Sequence, residues 1–282
     1  MLSIAAAANA ADLVIFSYNR PMQLYALCES IEKYVTGLTS VQVISRAENE
    51  RYARAYQTVQ KRFPWLQFIW QNNPPHDFKN LTMQAAFKNG KANYILFAVD
   101  DIIVKDHVDL KLCVSLLEEY KAYVFLLRLG SNINYCYSMN IAAPMPRSAR
   151  PVQNDVYLYQ FAGDSDWNYP NTLDLGLYRK QDILTELQKL DWKSPNTMEG
   201  SWAAQVHPNR LGMFFELSKM VNIPLNIVGE YRNRNMAIYS DVELLDKFEQ
   251  GFKIDIQPLD KIINKAPHME YNINFIEYSH VD

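Results

Sequence analysis

The chain has 282 residues and is poor in cysteine. Its three cysteines, Cys28, Cys113 and Cys136, show no CxxC spacing, which argues against a disulfide framework or a zinc site and favours a reducing, cytoplasmic setting. Neither sign of charge is in large excess, since the formal net charge is -3 and no basic cluster occurs. We therefore expect no general attraction to nucleic acid or to anionic lipid.

Long hydrophobic runs are missing as well. No segment approaches the roughly 20 uninterrupted apolar residues that a membrane-spanning helix requires. The alanine-rich residues 1–10 end in a sequence similar to a signal-peptidase site but lack a positive region, so we interpret them as a leader or a non-native remnant. A membrane-linked substrate would then be reached from the surface, by peripheral association.

Several common active-site motifs are absent. No GxGxxG or GxxxxGK[ST] occurs at any turn, which excludes a dinucleotide fingerprint and a P-loop. There is no GxSxG and no cysteine with a histidine nearby in the sequence, so nucleophilic hydrolysis is disfavoured. A phosphate-binding site in this chain must be built in another way.

The first hundred residues alternate four times between strand-like and helix-like segments. The predicted strands are residues 12–17, 41–45, 66–70 and 94–105. Amphipathic helices are predicted after each of the first three, which favours an α/β fold with a doubly wound, mostly parallel sheet and right-handed crossovers. Beyond residue 130 the pattern loosens into an α+β region, in which we expect residues 173–179 to pair with residues 157–161.

The fourth predicted strand stops at two adjacent carboxylates, Asp100 and Asp101. Its continuous apolar run is typical of a strand buried on both faces. Open α/β sheets bind ligands at the carboxyl ends of their strands, where a carboxylate pair is suited to a divalent cation. Because Asp is also favoured at helix starts, the residues alone leave metal binding and helix capping open.

Three tryptophans of the second half lie in polar, turn-rich surroundings: Trp167, Trp192 and Trp202. Such residues fit a buried core. They also fit a wall on which a sugar or another flat, partly apolar ligand stacks. The sequence leaves both interpretations open.

The chain resembles a nucleotide-diphospho-sugar glycosyltransferase of the GT-A type, similar to family 2. The resemblance lies in Val-Ile-Phe-Ser-Tyr-Asn-Arg-Pro at 14–21, Leu-Phe-Ala-Val-Asp-Asp-Ile at 96–102 and Asn-Thr-Met-Glu at 196–199. It covers residues 13–129 and, more weakly, the chain to about residue 234. It implies a Rossmann-like GT-A fold with a smaller acceptor-side α+β region. Residues 11–130 would be the nucleotide-sugar-binding half of this domain and residues 131–282 its acceptor-binding and catalytic half.

The implied function is the transfer of a sugar from a UDP- or GDP-sugar to a hydroxyl of a glycan or a lipid-linked acceptor. The resemblance places Ser17, Tyr18 and Arg20 at the donor. It assigns Asp100 to the donor as well and Asp101 to a manganese or magnesium ion that bridges the diphosphate. The family pattern is Asp-x-Asp, and here valine at position 99 replaces its first acid.

Further roles follow from the resemblance for residues of the second half. An inverting reaction needs a carboxylate that deprotonates the acceptor hydroxyl, and Glu199 stands where inverting members carry one. A cap at a helix amino terminus is the alternative for Glu199. Arg232 and Arg234 are candidates for contacts to the diphosphate. His280 is a candidate metal ligand if the C-terminal tail folds over the site.

Two other functions stay open. A sugar nucleotidyltransferase has a similar sheet and acidic metal site, although most need a basic, glycine-rich turn after the first strand, which is absent here. A non-catalytic carbohydrate- or partner-binding module on a degenerate transferase scaffold would explain the valine at position 99. A literal Asp-x-Asp occurs at Asp164 and Asp166, where we expect a loop cap or a contact to an acceptor hydroxyl.

Overall fold

The structure is a computed structural model that describes residues 10–163, 165–207, 209–228 and 234–278. Its strands are β1 (Ala11–Tyr18), β2 (Val35–Thr36), β3 (Leu38–Arg46), β4 (Leu66–Trp70), β5 (Tyr94–Val99), β6 (Ile102–Val104), β7 (Val108–Asp109), β8 (Val124–Leu126), β9 (Tyr135–Cys136), β10 (Ile141–Ala142), β11 (Arg150–Pro151), β12 (Val156–Gln160), β13 (Gly176–Arg179), β14 (Leu211–Phe215), β15 (Met220–Asn222), β16 (Phe252–Ile254) and β17 (Phe275–Glu277). Its helices are α1 (Pro21–Tyr34), α2 (Glu50–Arg62), α3 (Phe78–Met83), which continues as a π-helical segment (Gln84–Asn89), α4 (Leu110–Glu119), α5 (Lys180–Lys189), α6 (Pro195–Ala203) and α7 (Asp241–Glu249).

One large sheet organises the chain, with the strand order β11-β12-β14-β8-β13-β5-β1-β3-β4. Strands β5, β1, β3 and β4 pair in parallel, as the alternation of strands and helices predicted. Only β12 and β13 run against the other strands of this sheet. The prediction of an α/β fold with a mostly parallel sheet is therefore confirmed.

The sheet is covered on both faces, and β1 shows why. Alternate residues of a strand point to opposite faces. Leu13 and Ile15 pack in the core that includes α1, α2 and α4, whereas Val14 and Phe16 pack in the core that includes the π-helical segment and α5. A strand buried on both sides has no polar face, which explains the continuous apolar runs of the sequence.

The helix starts next to the site are set by local sequence. Pro21 is the first residue of α1, where its fixed φ suits a helix and its missing N–H costs nothing, so the turn after β1 is short. Ser194 and Thr197 form a capping box at the start of α6, and Pro195 is its first residue. These two starts fix the positions of Arg20 and Glu199.

The predicted pairing of residues 173–179 with residues 157–161 is wrong. Strand β13 pairs antiparallel with β5 and β8, whereas β12 pairs with β11 and β14. Leu177 and Tyr178 in β13 are completely buried and need neighbours on both sides. Strand β12 lies near the sheet edge, next to the exposed strand β11. A short apolar run predicts a strand but does not identify its partner.

The three tryptophans belong to the core. Trp167, Trp192 and Trp202 are 1%, 2% and 0% exposed, and each contacts another aromatic ring. The ring centroid of Trp202 lies 4.9 Å from that of Tyr178. Because none of the three offers an exposed ring face, the interpretation as a ligand-stacking wall is wrong.

The three cysteines are free and buried. The longest helix is α1, with 14 residues, and none of the helices in the described ranges is long and apolar enough to cross a lipid bilayer. The hydrophobic residues of the helices are instead used in the two cores beside the sheet.

Replacing Trp202 with alanine should lower the free energy of unfolding by about 3–5 kcal/mol, because a large buried ring leaves a cavity. The ring also donates a hydrogen bond from Nε1 to Glu186 Oε2 at 3.1 Å. Urea unfolding followed by tryptophan fluorescence or circular dichroism would measure the loss. Ile263→Ala is the matched control, since Ile263 is 69% exposed and should change stability by less than about 0.5 kcal/mol. Equal effects of the two substitutions would contradict the assignment of Trp202 to the core.

Candidate functional site

The acid pair lies directly after β5, at the carboxyl end of the parallel strands. Phe16 of β1 is the partner of Val99 of β5, so the next residues, Ser17 and Asp100, lie side by side at the ends of neighbouring strands. The Ser17 hydroxyl donates to Asp100 Oδ2 at 2.8 Å. Asp100 is only 3% exposed, so this carboxylate needs partners inside the protein.

Arg20 supplies the positive charge between the two carboxylates. Its NH1 donates to Asp100 Oδ1 at 3.1 Å and to Asp101 Oδ2 at 3.0 Å, and its NH2 donates to the Asn226 carbonyl at 2.5 Å. Arg20 is itself only 9% exposed. The structure thus brings together four of the predicted site residues, although their roles in catalysis and donor binding stay predictions.

Tyr56 of α2 supports this cluster and was missed in the sequence. Its hydroxyl shares a hydrogen bond with the Ser17 hydroxyl at 2.6 Å and accepts one from the Arg20 backbone N–H at 3.1 Å. The helical spacing of apolar residues predicts that Tyr56 is buried, but it does not reveal what its hydroxyl contacts.

Tyr18 lies apart from the acid pair, at the ends of β1 and β3. Its ring contacts the guanidinium of Arg46, whose Cζ is 4.3 Å from the ring centroid. The next residue, Asn19, has a φ of 53° and exchanges two hydrogen bonds with Glu48. The carboxyl ends of β1 and β3 therefore carry an aromatic ring, a cation and a carboxylate side by side.

A segment of the second half closes the other side of the acid pair. Strand β15 pairs antiparallel with β6, which begins directly after Asp101. As a result the Asn222 Nδ2 donates to Asp101 Oδ1 at 3.0 Å, and the Ile223 backbone N–H donates to the Asp101 carbonyl at 2.9 Å. Asn222 belongs to no recognised motif, so sequence reasoning missed it.

Asp174 and His268 form a further charged pair beside Asn222. The His268 Nε2 lies 3.6 Å from Asp174 Oδ2, an ion-pair distance that is too long for a hydrogen bond. Burial raises the pKa of Asp174, while the charges of His268 and Arg128 and a hydrogen bond from Asn222 lower it. The sequence analysis did not single out Asp174, because neither an apolar run nor a motif marks it.

Glu199 is tied to the turn that precedes Asp174. Its Oε1 accepts hydrogen bonds from the Thr172 hydroxyl at 2.8 Å and from the Leu173 backbone N–H at 2.7 Å. Burial and the charge of Asp174 raise its pKa. Since Ser194 and Thr197 cap α6, the alternative that Glu199 is the cap is wrong. Its role as a base stays a prediction.

Asp166 of the literal Asp-x-Asp has a structural partner. Its Oδ1 accepts from Arg128 NH1 at 2.5 Å, and Arg128 is only 1% exposed. Arg128 NH2 also donates to the carbonyls of Asp166 and Tyr169. Asp166 therefore closes a loop over a buried arginine, while Asp164 lies outside the described residues.

Of the three remaining predicted residues, the structure describes one, Arg234. Arg232 and His280 lie outside the described residues. Arg234 lies over the ring of Tyr137, with its Cζ 4.0 Å from the centroid, and donates to the Tyr137 carbonyl at 3.0 Å. The Tyr137 ring also stacks on His268, with centroids 6.4 Å apart. Among the described contacts Arg234 thus joins the His268 side of the site and not the acid pair.

Among the described residues the acid pair offers a divalent cation one suitable ligand, Asp101. Each of the four carboxylate oxygens already accepts a hydrogen bond, from Ser17, Arg20 or Asn222. Within the described ranges no group of three or more His, Cys, Asp or Glu residues is arranged to hold a metal ion. The Asp101 side chain is 13% exposed and that of Asp100 5%, so Asp101 is the better ligand of the pair.

Burial raises the pKa of Asp100 to about 6, against the lowering effect of Arg20. Because this pKa is higher than that of an ordinary aspartate, which is near 4, the protonated carboxyl contributes stability below about pH 4. This contribution is lost as the pH rises through about 6. Asp100→Asn cannot ionise, so its free energy of unfolding relative to the unmodified chain should increase between pH 4 and pH 7. Urea unfolding at each pH measures this, with Asp155→Asn at an exposed position as the control. A decrease over the same range would mean that Arg20 lowers the pKa.

Comparison with known proteins relates part of the chain to a glycosyltransferase. Over 192 residues the chain is 31% identical to the bifunctional glycosyltransferase pgtA of Dictyostelium discoideum. This stretch is 62% of the chain but 24% of pgtA, so the chain spans about a quarter of that relative. No protein-family profile matches the chain.

Two solved structures resemble the chain more distantly. TarS of S. aureus, solved in complex with UDP, has a TM-score of 0.46 and 12% identity and covers 73% of this chain and 58% of its own. The mannosyltransferase PcManGT of Pyrobaculum calidifontis, solved with GDP-Man and Mn2+, has a TM-score of 0.39 and 11% identity and covers 74% of this chain and 57% of its own. These likenesses are too distant to transfer a ligand or a metal. The sequence relation to pgtA supports the resemblance to a glycosyltransferase that the motifs predicted.

Proposed function

We propose that the chain transfers a sugar from a nucleotide-diphosphate sugar, a UDP- or GDP-sugar, to an acceptor hydroxyl of a glycan or a lipid-linked molecule. The observation that carries this proposal is the cluster of Arg20, Asp100 and Asp101 at the carboxyl end of the parallel strands. This is the edge at which open α/β sheets bind ligands. The relation to pgtA supports the same chemistry. The cytoplasmic location stays a prediction.

The donor occupies the ends of β1, β3 and β5 in this proposal. Tyr18 and Arg46 offer a ring and a guanidinium plane for a nucleobase or ribose. Ser17, Arg20 and Asp100 lie at the part of this edge where the donor phosphates are proposed to bind. Arg232 is proposed to contact the same diphosphate. The short turn at Pro21 supports this arrangement, because it keeps Arg20 within 3.1 Å of the acid pair.

The proposal includes a divalent cation, Mn2+ or Mg2+, that is bound by few residues of this chain. Asp101 would be its ligand from the described chain, His280 would be a second, and the donor phosphates would fill further positions, as is common for Mg2+. When bound, the cation supplies positive charge to the leaving diphosphate. Arg20 contributes by keeping the carboxylate of Asp101 in place at 3.0 Å.

The acceptor approaches from the side of Asp174 and Glu199. A carboxylate with a raised pKa is suited to accept the proton of an attacking hydroxyl near neutral pH. Burial raises the pKa of both groups, with a further increase from the charge of Asp101 at Asp174 and from the charge of Asp174 at Glu199. We keep Glu199 as the proposed base for an inverting reaction, with the Thr172 hydroxyl and the Leu173 N–H fixing its orientation.

Asp101→Asn should lower donor turnover by about 100-fold or more, because the substitution weakens binding of the cation that offsets the charge of the leaving diphosphate. Release of UDP from UDP-GlcNAc and of GDP from GDP-mannose, with and without Mn2+, measures the change. Asp246→Asn is the control, since Asp246 is a largely exposed partner of Arg51. Equal turnover of both variants would contradict the proposed role. Pyrophosphate release from a nucleoside triphosphate and a sugar phosphate would favour a nucleotidyltransferase instead.

Glu199→Gln separates a catalytic from a structural role. Glutamine retains the oxygen that accepts hydrogen bonds from Thr172 and Leu173, so the fold should persist. If Glu199 is the base, kcat falls by about 100-fold or more while the Kd of the donor stays within about twofold. Steady-state kinetics and calorimetry measure the two quantities. Unchanged kcat would show that Glu199 only positions the turn before Asp174.

A further inference from the structure

Three buried polar atoms beside the acid pair have no hydrogen-bond partner among the described residues: Arg20 Nε, Asn222 Oδ1 and Asn226 Nδ2. Their residues are 9%, 3% and 6% exposed. Hydrogen bonds connect them, since Arg20 donates to the Asn226 carbonyl and to Asp101, which accepts from Asn222. An unpaired buried polar atom costs about 1–3 kcal/mol, so three in one connected cluster indicate that a polar ligand binds there.

The orientation of the Asn222 amide is determined by its neighbours. Its Nδ2 donates to Asp101 Oδ1 at 3.0 Å. This carboxylate therefore faces the amide nitrogen. The opposite orientation would direct Oδ1 at a negative group. The unpaired atom of Asn222 is thus an acceptor.

The unpaired atom of Asn226 is a hydrogen-bond donor, unlike that of Asn222. Its Oδ1 accepts from Gln23 Nε2 at 3.3 Å, which leaves the two Nδ2 hydrogens available. Together with Arg20 Nε, the cluster offers one acceptor and two donor groups. Hydroxyl groups match this combination, because each of them both donates and accepts.

A phosphate does not match the same atoms. Its oxygens accept hydrogen bonds, whereas Asn222 Oδ1 and the nearby carboxylates would repel it. The cluster therefore selects a neutral ligand with several hydroxyls. Asn222 lies between Asp101, on the proposed donor side, and His268, which is paired with Asp174 on the proposed acceptor side. This is where the sugar to be transferred has to be held.

We infer that Asn222 and Asn226 form the subsite for the sugar ring of the donor, with one sugar hydroxyl donating to Asn222 Oδ1 and another accepting from Asn226 Nδ2. The inference rests on the proposed function and deepens it, because it assigns recognition of the sugar to Asn222 and Asn226, which the proposed function does not place at the nucleotide. Arg20 Nε donates to the same ring.

The test compares nucleotides with and without the sugar. Calorimetric Kd values are measured for UDP against UDP-GlcNAc and for GDP against GDP-mannose, in the full chain with Mn2+. Asn226→Ala should weaken binding of the nucleotide-sugar by about tenfold, while the Kd of the nucleoside diphosphate stays within about twofold. Asn226→Leu, which keeps the volume of the side chain, should act in the same way.

Gln42→Met is the matched control, because Gln42 is 1% exposed and both of its amide atoms are bonded, to Ala85 and Asn89. It should change neither Kd. If Asn226→Ala weakens both ligands equally or neither, the inference is overturned, and an ordered water is then the occupant. A change confined to the KM of the acceptor would assign the atoms to the acceptor sugar and overturn it as well. Absence of all nucleotide binding would overturn the proposed function itself.

Discussion

The ion pair of Arg20 with both Asp100 and Asp101 is the interaction on which the site depends. Two adjacent carboxylates at the end of a buried strand cannot lose contact with water unless a cation and hydrogen-bond donors replace it. Arg20 provides the cation because it follows β1 by two residues and β1 pairs with β5. The first strand-to-helix turn and the acid motif are thus one electrostatic unit, although 80 residues separate Arg20 from Asp100.

This unit also connects the two halves of the chain. Arg20 NH2 donates to the carbonyl of Asn226, and Asp101 accepts from Asn222, so the segment around β15 is bonded to the acid pair at two points. The same segment pairs with β6 and receives the backbone N–H of Met269 at the Asn222 carbonyl. His268 is thereby placed beside Asp174. Contacts made by the first half of the chain therefore determine where the charges of His268 and Asp174 in the second half lie.

The sequence predicted the parts of the structure that follow from local pattern. Strand and helix alternation predicted the parallel order of β1, β3, β4 and β5 and the position of the acid pair at their carboxyl end. At that edge Ser17 and Arg20 lie close to Asp100. The reason is that Ser17 and Arg20 lie at or just after the end of β1, Asp100 follows β5, and β1 and β5 are neighbouring strands. The sequence did not predict Asn222 or Asp174, which antiparallel pairings of strands distant in the chain bring to the site. A short apolar run contains no information about its partner, and this also explains the error for β13.

Charge is distributed unequally across the site. On the donor side Arg20 offsets part of the charge of the acid pair, which lowers the repulsion that a diphosphate meets there. On the proposed acceptor side burial raises the pKa of Asp174 and of Glu199, and the charge of Asp174 adds to this effect at Glu199. A leaving diphosphate needs reduced negative charge near it, whereas a base needs enough affinity for a proton. Asn222 separates the two environments, since its amide nitrogen hydrogen-bonds to Asp101 on one side and its backbone pairs with His268, the neighbour of Asp174, on the other.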